Sequence, residues 1–178
     1  MLTTEPLVTT YLQMQSHLEI RRPKSEFRNE DFEVRELLQS DWRFNRDMYL
    51  AVGKRWKWID KRPWTDEQWR RYADDSKLRT FAAYSGKNLA GYYELHRDAE
   101  RAIEIAYFGL VPELIGRGLG GPLLASAIDN AWKWSPSPLR VWVHTCNRDH
   151  PQALANYRAR GMKIYKVEEE KNSGRGKF

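Results

Sequence analysis

The chain has one cysteine, Cys146, in 178 residues. That excludes an intramolecular disulfide framework and a zinc site of several cysteines, and no metal is expected. No apolar run approaches the roughly 18 residues a membrane span needs. The first twenty residues lack the basic, apolar, small-residue order of a secretory signal. No membrane partner is therefore expected, and the location is expected to be cytoplasmic. Gly (11) and Pro (8) are too few and too scattered for collagen or a low-complexity linker. There is no internal repeat and no second composition zone, so the length suits one domain.

Apolar residues make up 41% and charged residues 30% of the chain, a globular mix. Thirty basic against 24 acidic residues give +6. Such a surface favours anions such as phosphates, nucleic acid or acidic proteins, or serves solubility alone. No dense basic block occurs before the tail Lys171–Phe178, which is expected to be flexible. Four of the eight tryptophans, Trp56, Trp58, Trp64 and Trp69, lie beside Lys54, Arg55, Lys57, Lys61 and Arg62. Core or pocket wall is the expected use of this cluster. A nucleic-acid platform is the alternative, and nucleic acid is not expected as the partner.

Leu7–Met14 is β-branched and aromatic enough for a strand, and Ser16–Glu30 reads as a polar arm. Phe32–Leu37 alternates as a short strand. Ser40 or Asp41 caps a helix to about Val52, stopped by Gly53. Thr65-Asp66-Glu67-Gln68 is a capping pattern for a second helix to about Ser76. Three strands follow at Arg79–Ser85, Asn88–Arg97 and Ala102–Val111, divided by turn-forming residues. After a glycine-rich stretch, Leu123, Leu124, Ala127, Ile128, Ala131 and Trp132 form a helical stripe. Leu139–Thr145 is a strand, Pro151 opens a short helix that Gly161 ends, and Met162–Val167 is the last strand. The expected units are residues 1–30 (strand and arm), 31–170 (a mixed α/β domain) and 171–178 (tail).

The stretch Gly116-Arg117-Gly118-Leu119-Gly120-Gly121 carries four glycines in six residues, between a strand and an amphipathic helix. Glycine lets backbone N–H groups converge, and the helix start and Arg117 add positive charge. A phosphate or pyrophosphate is the natural guest, and an empty tight turn is the bland alternative. Gly116-x-Gly118-x-x-Gly121 matches the dinucleotide fingerprint literally. The acidic residue wanted about 20 positions later is missing from Leu139-Arg140-Val141-Trp142. No Gly-Lys-Ser or Gly-Lys-Thr follows, which excludes a P-loop.

Leu110-Val111-Pro112-Glu113-Leu114-Ile115-Gly116-Arg117-Gly118-Leu119-Gly120 resembles the acetyl-CoA motif of the GCN5-related N-acetyltransferases, Gln/Arg-x-x-Gly-x-Gly/Ala after a strand. Ile115 falls where the family has Gln or Arg. Ala153-Leu154-Ala155-Asn156-Tyr157-Arg158-Ala159-Arg160-Gly161-Met162 is similar to a second family segment, and His150 stands in place of its Asn. Tyr49–Arg62, Glu94 and His144-Thr145-Cys146 resemble a bacterial branch for which the likeness names no acceptor.

The resemblance implies a single, mostly antiparallel central sheet flanked by helices and splayed at the strand pair that holds acetyl-CoA. It implies direct acetyl transfer to a primary amine of a small molecule or peptide. Cofactor contacts are expected from Phe108, Gly109, Leu110 and Val111 on the strand edge, from Gly116, Arg117, Gly118, Leu119, Gly120 and Gly121 in the cradle, and from His150 and Asn156. Glu104 is the expected base, and Tyr157 is the expected acid for the leaving sulfur. Alternation puts Glu104, Ala106, Phe108 and Leu110 on one strand face. Glu104 is alternatively a strand-end carboxylate in water or paired with an arginine. Acceptor contacts are expected from Tyr49, Trp56, Trp58, Arg62, Glu94 and His144, with Glu94 and His144 also alternative bases. Aromatics near Trp132 and Trp134 would allow a homodimer. A non-catalytic acyl-CoA sensor, an aminoglycoside acetyltransferase and a nicotinamide or flavin enzyme are the competing readings.

Overall fold

The computed structural model describes residues 5–24, 31–56, 58–134 and 136–170; the basic tail lies outside them. Its strands are β1 (Leu7–Met14), β2 (Phe32–Glu36), β3 (Leu78–Ser85), β4 (Asn88–Arg97), β5 (Ala102–Leu110), β6 (Arg140–Cys146) and β7 (Lys163–Glu170). Its helices are α1 (Trp42–Gly53), α2 (Asp66–Ala73), α3 (Gly120–Trp132) and α4 (Ala153–Ala159), with single 3-10 turns at His17–Glu19 and Pro112–Leu114. The strands form one sheet in the order β2-β3-β4-β5-β6-β1-β7. Every pairing is antiparallel except β5 with β6.

Local chemistry sets the helix starts. The Asp41 carboxylate accepts from the N–H groups of Arg43 and Phe44, both at 3.1 Å, satisfying donors that α1 cannot. Thr65 and Gln68 form a reciprocal capping box on α2, which ends at Ala73, slightly earlier than expected. The α3 stripe of Leu123, Leu124, Ala127, Ile128 and Ala131 is fully buried against Tyr93, Leu95, Ile103 and Ile105 of the sheet. The opposite sheet face, with Tyr92 and Tyr107, is covered by Met48 and Val52 of α1 together with Trp58.

The leading strand belongs to the domain's own sheet, because β1 lies between β6 and β7. The start of the arm is docked too. Arg22 and His17 both reach Asp129 of α3 at 2.7–3.0 Å, and the Arg21 N–H donates to the Arg160 carbonyl. Trp132 and Trp134 do not form a fully exposed aromatic face. Both are half-buried on the core, and Trp134 is flanked by the Arg79 and Arg97 guanidiniums. No helix among the described residues is long and apolar enough to cross a membrane.

Candidate active site

The sheet opens between β5 and β6. These strands pair only at Ala102–Arg140, Ile103–Val141 and Glu104–Trp142. Beyond Glu104, β5 keeps only β4 as neighbour, through Tyr93–Phe108, Tyr92–Gly109 and Gly91–Leu110. Residues Phe108 to Leu110 thus face the cleft with one free strand edge, whose backbone groups are open to pairing. Val111 just beyond is still tied to β4, donating its N–H to the Ala90 carbonyl at 2.9 Å.

Glu104 stands where the strands part, its Oε1 3.4 Å from Nε2 of His144 on β6. The His144 side chain is 48% exposed and that of Glu104 22%, so the pair is reachable from the cleft. Pairing with the Glu104 carboxylate pushes the imidazole pKa up, against the opposing effect of burial. The partner of Glu104 is thus a histidine from the facing strand, and two residues expected in separate roles are in contact.

Strict alternation on β5 fails at one point. Glu94 pairs with Tyr107 but Leu95 pairs with Ile105, which leaves Ala106 as a bulge. Parity flips there. Ile103 and Ile105 share the α3 face with Phe108 and Leu110, whereas Tyr107 and Val111 lie on the α1 face. Glu104 therefore shares its face with Tyr107 and not with Phe108 or Leu110, contrary to the simple alternation. Gly109 is required by the close approach of α1: a Cβ there would lie 2.4 Å from Val52 Cγ1.

At the open end of the cleft, Gly116 and Gly118 take φ of +82° and +78°, which other residues reach only with strain. Among the described residues no protein acceptor takes the N–H groups of residues 116–121, and α3 starts without a side-chain cap. Arg117 is exposed beside them, whereas Leu119 is buried and contributes backbone only. The Asn156 amide ties α4 to α3 by donating to the Gly120 carbonyl at 3.1 Å. Arg160, not foreseen from the sequence, brings Nη1 to 3.3 Å from where a Gly121 Cβ would sit. Its Nε and Nη1 are buried without a hydrogen-bond partner among the described residues. Burial lowers the guanidinium pKa, so an anion at this spot would be stabilising.

Tyr157 lies across the cleft wall, its ring 6.1 Å from Phe108. It is 6% exposed, and burial pushes its phenol well up, which keeps it protonated at neutral pH. His150 accepts the Gln152 N–H on Nδ1 at 3.1 Å, just ahead of α4. Its ring meets Trp56 edge-on at 4.8 Å, so the α1–α2 loop and the β6–α4 turn touch.

The remaining acceptor-side residues divide. Tyr49 is 1% exposed, packed on Trp58, Trp69 and Tyr107, and its hydroxyl accepts the Lys61 N–H. Trp58 packs against Tyr49 and Tyr107. Arg62 turns back on its own loop, with Nε donating to the Trp58 carbonyl at 2.7 Å. Glu94 is 1% exposed and lies beneath the surface. It accepts from Asn45 Nδ2 at 2.7 Å and from the Tyr72 hydroxyl. Burial pushes its pKa up to about 7, although both hydrogen bonds and Lys61 act the other way. A concavity of about 620 Å³ between α4 and β7 contains none of the expected site residues.

Residues 32–162 match the Acetyltransferase (GNAT) family. The chain belongs to the GNAT family. A GCN5-related N-acetyltransferase from Sphaerobacter thermophilus superimposes with a TM-score of 0.67 at 14% identity, covering 93% of this chain and 50% of that one. One from Kribbella flavida gives 0.62 at 13% identity, covering 93% and 56%. An aminoglycoside acetyltransferase from an uncultured soil metagenomic sample, in complex with sisomicin, gives 0.57 at 12% identity, covering 74% and 87%. At these identities the likeness is one of fold. The chain spans about half the length of the first two. No curated protein matches it. The splayed strands, the glycine bend and the Tyr157 segment all fall inside the GNAT match.

Proposed function

We propose that this GNAT domain transfers an acetyl group from acetyl-CoA to a primary amine of a small molecule or peptide. The observation that carries the reading is the cleft itself: a strand pair that parts at Glu104 and His144, leading to unclaimed N–H groups at the start of α3. Residues 116–121 and Arg160 would hold the pyrophosphate, and the free edge of Phe108–Leu110 would hold the pantetheine arm. The bound coenzyme supplies an activated acyl thioester.

The chain's own groups handle the protons. An amine acceptor arrives as an ammonium and must lose a proton before it can attack. Glu104 and His144, in contact and open to the cleft, take it up. Tyr157, held protonated by burial, keeps a proton at Oη for the leaving sulfur. Cys146 is half-buried with its thiol pKa pushed up by burial, which disfavours the thiolate that a covalent route would need.

The test is coenzyme A release from acetyl-CoA across a panel of alkyl amines, amino acids, peptides and sisomicin. The expected result is amine-dependent release with an acetylated product found by mass spectrometry. Coenzyme binding without release for any amine would replace the enzyme reading with that of an acyl-CoA sensor.

A further inference from the structure

The α1–α2 connection places a cation where a substrate cation would be expected. Lys61 is half-buried. Its Nζ lies 3.8 Å from the ring centre of Trp64, 4.4 Å from that of Tyr72 and 5.6 Å from that of Tyr107. Three aromatic faces around one ammonium make a cation box. Beneath it, the Tyr72 hydroxyl is fixed on the buried Glu94. Both Glu94 and Glu104 act on the Lys61 charge. Tyr107 shares its sheet face with Glu104, so the box lies on the same side of the sheet as that carboxylate, whose charge acts on Lys61.

The occupant is held loosely. Among the described residues Nζ has no hydrogen-bond acceptor and no ion pair, although an ammonium carries three donors. Burial lowers its pKa, against the opposing charges of Glu94, Asp60 and Glu104. The loop itself does not depend on this side chain. Its backbone is pinned by the Lys61 N–H on Tyr49 Oη at 3.1 Å, the Arg62 N–H on the Ile59 carbonyl, the Trp64 N–H on the Lys61 carbonyl and the Arg62 side chain on the Trp58 carbonyl. A four-carbon arm ending in a weakly satisfied ammonium, on a loop that stands without it, has the character of a tethered stand-in for a ligand.

We propose that the box of Trp64, Tyr72 and Tyr107 above Glu94 is the acceptor-ammonium subsite, filled in the free protein by Lys61, and that the acceptor is a primary ammonium on an unbranched alkyl arm that displaces it. The identification of the box as an acceptor site rests on the acetyl-transfer reading, whereas its affinity for alkylammonium ions does not. The acceptor enters, the Lys61 arm swings to solvent, and the incoming nitrogen lies beside Tyr107 on the Glu104 side.

The experiment is calorimetric titration of n-butylammonium, without acetyl-CoA, into wild type and Lys61→Ala. With the tenant removed, n-butylammonium should bind about tenfold tighter or better, the scale of a desolvated cation–π contact. Neither n-butanol nor tert-butylammonium should gain. Circular dichroism checks the fold, and Lys61→Ser, which also vacates the box, gives the same readout should the alanine variant not fold. No gain in a folded variant overturns the proposal, as does an equal gain for n-butanol, which would mark a merely apolar hole. An equal gain for tert-butylammonium overturns the unbranched-arm assignment. Coenzyme A titrated into the same samples separates the two readings. Amine gain without coenzyme binding removes acetyl transfer and leaves the subsite, and coenzyme binding without amine gain removes the subsite alone.

Discussion

At the scale of single residues, the Glu104–His144 pair makes the sharpest prediction. The carboxylate raises the imidazole pKa and burial lowers it. Replacing Glu104 with Gln removes the first influence and leaves the second. Asp149 and Asp60 still act upward in the variant, so an NMR titration should place His144 above the usual value of about 6.5 in wild type and clearly lower in Glu104→Gln. An unchanged midpoint would mean that the 3.4 Å contact is not populated. Tyr157 gives a second test. Tyr157→Phe removes one oxygen and keeps the ring on Phe108, so the fold should survive while amine-dependent turnover falls about 100-fold. Unchanged turnover would remove the phenol from the reaction. The positions of Glu104 and Tyr157 are legible in the sequence because each sits at a fixed place in a motif, whereas their roles rest on these two tests. The histidine partner is not legible there, since only the parting of β5 from β6 brings the two strands' side chains together. Arg160 and the Lys61 box escaped for a related reason: their neighbours are remote in the chain.

At the scale of elements, α1 sits close on β5 because residue 109 has no side chain. Gly109→Ala would drive a methyl to 2.4 Å from Val52 Cγ1 and should cost roughly 1–3 kcal/mol in unfolding free energy. Adding Val52→Ala to that variant should recover part of the loss, because the two sites share one contact. Denaturant unfolding of the single and double variants measures this, and strict additivity would contradict the packing account. Most elements could be read from caps and alternation: Asp41, the Thr65–Gln68 box and the α3 stripe mark helices that the structure contains. The Ala106 bulge could not, because Ala102–Leu110 alternates perfectly well on its own. The extra residue exists only against the register of β4, and it decides which β5 side chains share a face with Glu104.

For the whole molecule, the buried carboxyl of Glu94 links folding to pH. Its pKa is raised from 4.5 in the open chain to about 7 in the fold. The folded state therefore holds the proton more tightly than the unfolded state. Stability from this group is fully present below pH 4.5 and is lost as pH rises through about 7. The loss is roughly 3 kcal/mol. Glu94→Gln should flatten that part of the stability–pH curve, measured by urea unfolding between pH 5 and pH 8. The same downward slope in the variant would show that the loss arises elsewhere. The burial of Glu94 follows from the packing of α1 and α2 over β4, which no local pattern around the residue announces.

Acetyl transfer by this chain requires that the α3 start, with residues 116–121 and Arg160, grip the phosphates of coenzyme A. Isothermal calorimetry with coenzyme A tests it most directly. Saturable binding at one site per chain is expected, weakened about tenfold or more by Arg160→Ala through loss of a charge-assisted contact. Absence of saturable heat at millimolar coenzyme, with the protein folded, would contradict it.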